Sequence, residues 1–188
     1  MYEPCDSITG ASQALKLLKD GNERYVQGKL SRKEGYAAER ADLAGGQRPF
    51  AAVLTCSDSR TPPEIFFDQR LGDIFVVRNA GNVACRAALG SIEYAVGQLG
   101  TTLIAVVGHS MCGAVAAARG GSEIHGELEY IIGMIRPACA GAADMNEAVR
   151  RNIRNAAEEI RGNEVVRRRG AVVAEGYYDI REGIVTWL

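Results

Sequence analysis

Thr101-Thr102-Leu103-Ile104-Ala105-Val106-Val107 is an apolar run rich in β-branched residues, and Gly108-His109-Ser110-Met111-Cys112-Gly113 follows it at once. The run is too short for a buried helix and too apolar for a half-exposed strand, so it predicts a strand covered on both faces. Working outward, Phe50 to Thr55 and Asp73 to Val77 read the same way. Between the second and third runs, Leu89, Ile92, Val96 and Leu99 recur at helical spacing over 85–99. Helices are predicted over 112–119 and 124–136, with Pro137 as the stop. Another over 144–161 carries a stripe of Val149, Ile153, Ala156 and Ile160. Strands at 171–174 and 184–187 close the chain around Asp-Ile-Arg-Glu-Gly, as a hairpin. Upstream, Ala14, Leu15, Leu18 and Tyr25 mark an amphipathic helix over 11–27, weakened at Gly21, and a polar helix is expected over 33–44.

Apolar strands alternating with helices predict an α/β fold: a central, mainly parallel β-sheet flanked by helices. The 188 residues make one domain, with 1–45 an N-terminal helical arm and 46–188 the α/β core. Ligands collect at the carboxyl ends of the strands in such sheets. Cys56 directly follows the first core strand and Gly108-His109 directly follow the third, so both fall where this architecture builds sites.

A net charge of −1 and a pI near 6.2 argue against nucleic acid or an anionic membrane as partner. Arg167-Arg168-Arg169 is short, lies near acidic residues and reads as a solvated helix end. No stretch reaches the roughly 18 apolar residues of a membrane span. The first ten residues contain Glu3 and Asp6 and lack the order of a signal peptide, which predicts a cytoplasmic protein. Five cysteines, an odd number and scattered, read as buried thiols or metal ligands rather than disulfides.

Cys56, His109 and Cys112 form a borderline-soft donor set suited to Zn²⁺. His109 and Cys112 are three apart, a spacing that reaches one ion as strand turns into helix. Three protein donors leave a tetrahedral position for water, the pattern of a catalytic site. Cys85, Cys139 and His125 stand outside any paired spacing with them. Taken singly, strand-end cysteines also read as small buried residues and a lone histidine as a satisfied polar group; Asp58 and Arg60 beside Cys56 favour the metal reading. Other motifs fail. Gly108-x-Ser110-x-Cys112 lacks the closing glycine of a nucleophile elbow, and no phosphate-binding loop is present.

At these residues the chain resembles the β-class carbonic anhydrases. The likeness runs from Asn22-Glu-Arg-Tyr-Val26 to the last strand. Its densest motifs are Cys-Ser-Asp-Ser-Arg at 56–60, Pro63-Glu64, Gly72-Asp-Ile-Phe-Val-Val-Arg-Asn-Ala-Gly-Asn82, Ser91-Ile-Glu-Tyr-Ala-Val96 and Gly-His-Ser-x-Cys-Gly-Ala at 108–114. The resemblance implies one zinc per chain on Cys56, His109 and Cys112, and reversible hydration of carbon dioxide to bicarbonate by a zinc-bound hydroxide. It implies a catalytic dyad of Asp58 and Arg60, and a substrate pocket of Gln47, Phe75, Tyr94 and the Gly113 N–H. Gln47 would be donated across a dimer interface. The assembly implied is a homodimer, or a dimer of dimers, whose N-terminal helices pack on the partner. Val53 stands where relatives with a second, inhibitory bicarbonate site carry Trp. With Gln47, it points to the plant-like subgroup without that site. Two other functions stay open at this level: hydrolysis of carbonyl sulfide or carbon disulfide on the same scaffold, and a catalytically silent zinc- or bicarbonate-binding module.

Overall fold

The structure is a computed structural model that describes residues 10–31, 34–121 and 123–188. The readings placed on Glu3, Cys5 and Asp6 lie outside these residues, as does the start of the helix expected at 33. The core strands are β1 (Ala51–Cys56), β2 (Ile74–Asn79), β3 (Leu103–His109), β4 (Val172–Tyr178) and β5 (Val185–Trp187). They form one sheet in the order β2-β1-β3-β4-β5. The first four are parallel, and β5 returns antiparallel to β4, so the predicted hairpin is present.

β1 and β3 are buried along their whole length, which is why they read as unbroken apolar runs. Alternate residues of these strands feed two cores. Ala52, Leu54, Ile104 and Val106 face a layer containing Ile92, Ile132, Ile153 and Ile160. These come from α4 (Arg86–Gly97), α6 (Glu127–Cys139) and α7 (Met145–Gly162). Ala51, Val53, Leu103, Ala105 and Val107 face the other way, onto α1 (Ala11–Val26) and the Phe66–Phe67 end of α3 (Pro63–Phe66).

The predicted α1 is present, and Gly21 serves close approach. A Cβ there would lie 1.8 Å from the Phe67 carbonyl oxygen, so only glycine lets α1 settle on α3. Ala14 and Leu18 are fully buried against this chain's own sheet. The polar helix is shorter than expected: α2 covers Tyr36–Asp42 and a 3-10 turn follows at Leu43–Gly45. Pro137 does not stop α6 but lies inside its last turn, where the lost N–H costs one hydrogen bond and two residues complete the helix. The remaining helices are α5 (Gly113–Gly120) and α8 (Glu164–Arg169). Arg167, Arg168 and Arg169 are exposed at the end of α8, the solvated terminus the sequence predicts. Among the described residues, no helix is long and apolar enough to cross a membrane.

Candidate active site

The chain runs from β1 outward to β2, then back past β1 to β3, so β1 and β3 flank the point where the winding reverses. At such a point the carboxyl ends of neighbouring strands open a crevice. Cys56 is the last residue of β1 and His109 the last of β3. Beyond His109 the main chain turns through Met111, which takes a left-handed φ of 56°, and delivers Cys112 to the N-cap of α5. One ligand atom each from Cys56, His109 and Cys112 lie within 4.8 Å of one another, and all three residues are buried.

His109 is oriented by its neighbours. Its Nδ1 lies 2.9 Å from the Ser110 carbonyl oxygen. A carbonyl only accepts, so Nδ1 carries the proton and Nε2 presents its lone pair to the two sulfurs. Ser110 is itself pinned: its N–H donates to Tyr178 O at 2.9 Å, and its Oγ accepts from Ile180 N at 2.9 Å. His109 Nε2 is buried without a hydrogen-bond partner, a costly state for a polar atom unless an ion satisfies it.

The two thiols are linked. A hydrogen bond shared with Cys112 is the largest influence lowering the Cys56 pKa. It outweighs burial, and contacts from His109 and the Gly81 N–H, 3.3 Å from Sγ, act in the same direction. The same shared bond, with burial and the Cys56 charge, pushes Cys112 upward. Burial and mutual repulsion thus oppose ionising both thiols, a penalty that a divalent ion bound by both would relieve. Two sulfurs and one unpaired imidazole nitrogen match the donor chemistry of zinc.

Asp58 lies at the rim, with Oδ2 3.9 Å from His109 Nε2. Arg60 grips both its oxygens: the Arg60 backbone N and Nε donate to Oδ1 at 2.9 Å each, and Nη2 donates to Oδ2 at 2.7 Å. The guanidinium holds this carboxyl well below the usual carboxylate range, against the opposing effect of burial.

Other expected site residues divide in two groups. Gly113 follows Cys112 directly as the first residue of α5. Phe75 and Tyr94 pair with each other, ring centroids 6.1 Å apart, but Phe75 is level with Ala52 in the sheet. That is four residues upstream of Cys56, roughly 13 Å along the strand. Gln47 is exposed and precedes β1, so it too belongs to the amino end of the sheet. Within a single chain these three are not assembled around the Cys–His–Cys cluster.

The family profile described as carbonic anhydrase matches residues 51–185. A tetrameric β-carbonic anhydrase from Sordaria macrospora superposes with a TM-score of 0.70 at 29% identity, over 82% of this chain and 90% of that one. The chain belongs to the β-class carbonic anhydrases. Among curated relatives of this β-carbonic anhydrase family member, carbonic anhydrase 2 of Mycobacterium tuberculosis is 54% identical over 110 residues, covering 58% of the chain and 53% of the relative. The carbonic anhydrase of Pseudomonas aeruginosa is 33% identical over 162 residues, covering 75% and 74%. The chain thus spans about half the length of the mycobacterial relative it matches.

Three residues around the site of this β-carbonic anhydrase family member carry no role in the sequence reading. Gly81 donates its N–H to Cys56 Sγ, and Asn152 of α7 holds the Gly81 carbonyl at 2.8 Å. Arg78 donates to the carbonyls of Cys56 and Asp58. Asn152 lies among the apolar stripe of its helix, between Val149 and Ile153, and a buried amide in such a stripe is the signal that identifies it.

Proposed function

We propose that this chain catalyses the reversible hydration of carbon dioxide to bicarbonate and a proton, with one zinc ion per chain held by Cys56, His109 and Cys112. The observation that carries the reading is the buried, unpartnered His109 Nε2 facing two sulfurs, with an arginine-locked carboxylate 3.9 Å away. Zinc bound there supplies Lewis acidity that makes hydroxide available near neutral pH. Two thiolate donors temper that acidity relative to an all-imidazole set, so activity is expected to rise toward mildly alkaline pH.

Asp58, ionised and acceptor-only, takes a hydrogen bond from the attacking water or hydroxide and aims its lone pair at carbon. Arg60 occupies both Asp58 oxygens and so keeps the carboxylate from swinging in as a fourth metal ligand. The Gly113 N–H, in the first turn of α5 where no intrahelical acceptor exists, faces developing negative charge on the substrate oxygen.

Gln47, Phe75 and Tyr94 complete the pocket from a second copy of the chain, because in their own chain Gln47 precedes β1 and Phe75, with the Tyr94 ring against it, is level with Ala52 rather than Cys56. The outer edge of β2 supports that assembly: among the described residues it has no strand partner, and Ile74, Phe75, Val76 and Val77 are only half-buried. The α1 helix uses one face within its own chain and leaves the other for a partner. The assembly is a homodimer or a dimer of dimers, working in the cytoplasm. Val53, fully buried on the α1 side of the sheet, stands where a second bicarbonate site would call for tryptophan.

The test is stopped-flow hydration of carbon dioxide by the zinc-loaded protein and by Asp58→Ala. The variant is expected to lose roughly 100-fold in rate while keeping its metal. Equal rates would remove the reading, as would a cobalt-substituted protein whose absorption shows no thiolate ligation.

A further inference from the structure

Arg78 is the fifth residue of β2 and is level with Thr55 of β1. Its side chain reaches past the end of that pairing. Nε donates to the Cys56 carbonyl at 2.9 Å and Nη2 to the Asp58 carbonyl at 2.6 Å. Next along β2, Asn79 accepts the Ser57 N–H at 2.9 Å. The far side of the same loop is closed by Thr61, whose N–H and Oγ1 both donate to Asp58 O at 3.1 Å. The carbonyls of Cys56 and Asp58, the residues that carry a candidate metal ligand and the adjacent carboxylate, are thus held by one planar fork.

We infer that Arg78 is a positioning residue that fixes the main chain of Cys56 and Asp58 together, so that the sulfur and the carboxylate keep one relative placement. Rotation of either peptide plane would move the attached side chain, and a guanidinium bonded to both carbonyls opposes both rotations at once. A lysine ammonium has no rigid fork of this kind. Arg78 is exposed and makes these bonds at the surface, so its removal opens no cavity in either core. The role rests on the zinc reading above and deepens it: outer contacts that orient ligands commonly change metal affinity when removed.

The experiment compares wild type, Arg78→Ala and Arg78→Lys by three measurements: zinc affinity from chelator competition, absorption of the cobalt-substituted protein, and melting of the metal-free protein. Arg78→Ala is expected to weaken zinc binding by roughly 10- to 100-fold and to shift the cobalt spectrum. Its metal-free melting should stay near that of wild type, and Arg78→Lys should fall between the two in affinity. A purely structural role would move the melting and leave the cobalt spectrum of the surviving fold unchanged. The inference is overturned if Arg78→Ala matches wild type in affinity and spectrum. Should Arg78→Ala not fold, a lysine variant equal to wild type in affinity overturns it instead. Wild type that binds zinc tightly without hydrating carbon dioxide removes the proposed activity alone, and the affinity comparison still decides the role of Arg78. Wild type that binds no zinc removes both.

Discussion

Asn22 and His109 are both buried polar side chains, and they are treated in opposite ways. Asn22, on α1, spends its whole amide on the chain. Nδ2 donates to Phe66 O at 3.0 Å and Gly183 O at 2.8 Å, and Oδ1 accepts from Val185 N at 2.8 Å. His109 is anchored through one nitrogen and leaves the other without a partner. A saturated buried amide ties together the helix, α3 and the last strand; an unsaturated buried imidazole stores coordinating capacity. The contact of α1 with the sheet is built for cohesion, and the site at the strand ends accepts a local penalty that a bound cation would cancel.

The largest expected effect sharpens this contrast directly. Zinc should raise the melting temperature of wild type, by the equivalent of about 4 kcal/mol at a thousandfold excess over the dissociation constant. His109→Ala should abolish that increment, as read by thermal melts with and without zinc. Persistence of the full increment in the variant would break the contrast. Next in size, Asn22→Ala leaves three buried main-chain groups unpaired and should cost about 3 kcal/mol in denaturant unfolding, with zinc affinity unchanged.

The smallest effect concerns Asp68, which lies under α1 and accepts Arg24 Nε at 2.6 Å, Ser31 N at 3.0 Å and Ser31 Oγ at 2.9 Å. Burial raises its pKa, yet Arg24 and Ser31 together hold the group below the usual carboxylate range. A carboxyl depressed in the folded state contributes its stability above its unfolded pKa, near 4, and loses it as pH falls through the lower folded value. Acid titration of unfolding should therefore show wild type losing on the order of 1 kcal/mol more than Asp68→Asn below about pH 4. Parallel acid limbs would count against the role of Asp68.

The parallel sheet was legible because β1 and β3 are apolar without interruption, and the clustering of Cys56, His109 and Cys112 because all three lie at or just beyond the ends of those apolar runs. What escaped the reading depends on contacts across long sequence distances. β4 continues to Tyr178 although Glu175 and Gly176 end the apolar run, since pairing of Tyr177 and Tyr178 with Gly108 and His109 supplies the ladder. Pro137 reads as a helix end from local chemistry, but packing of Ile135 and Ala138 into the core carries α6 past it. Arg78 looks like an ordinary polar residue at a strand end until the loop it clamps, about twenty residues earlier, is folded beside it.

Gly81 adopts a φ of 73°, and a Cβ there would lie 2.5 Å from Ile135 Cδ1. Its N–H donates to the Cys56 sulfur from this left-handed conformation, which side chains other than glycine's rarely adopt. The consequence is a constraint on how this sequence can drift: enlarging position 81 demands a simultaneous carving of α6, so the wiring of one sulfur is insured by the shape of a neighbouring helix.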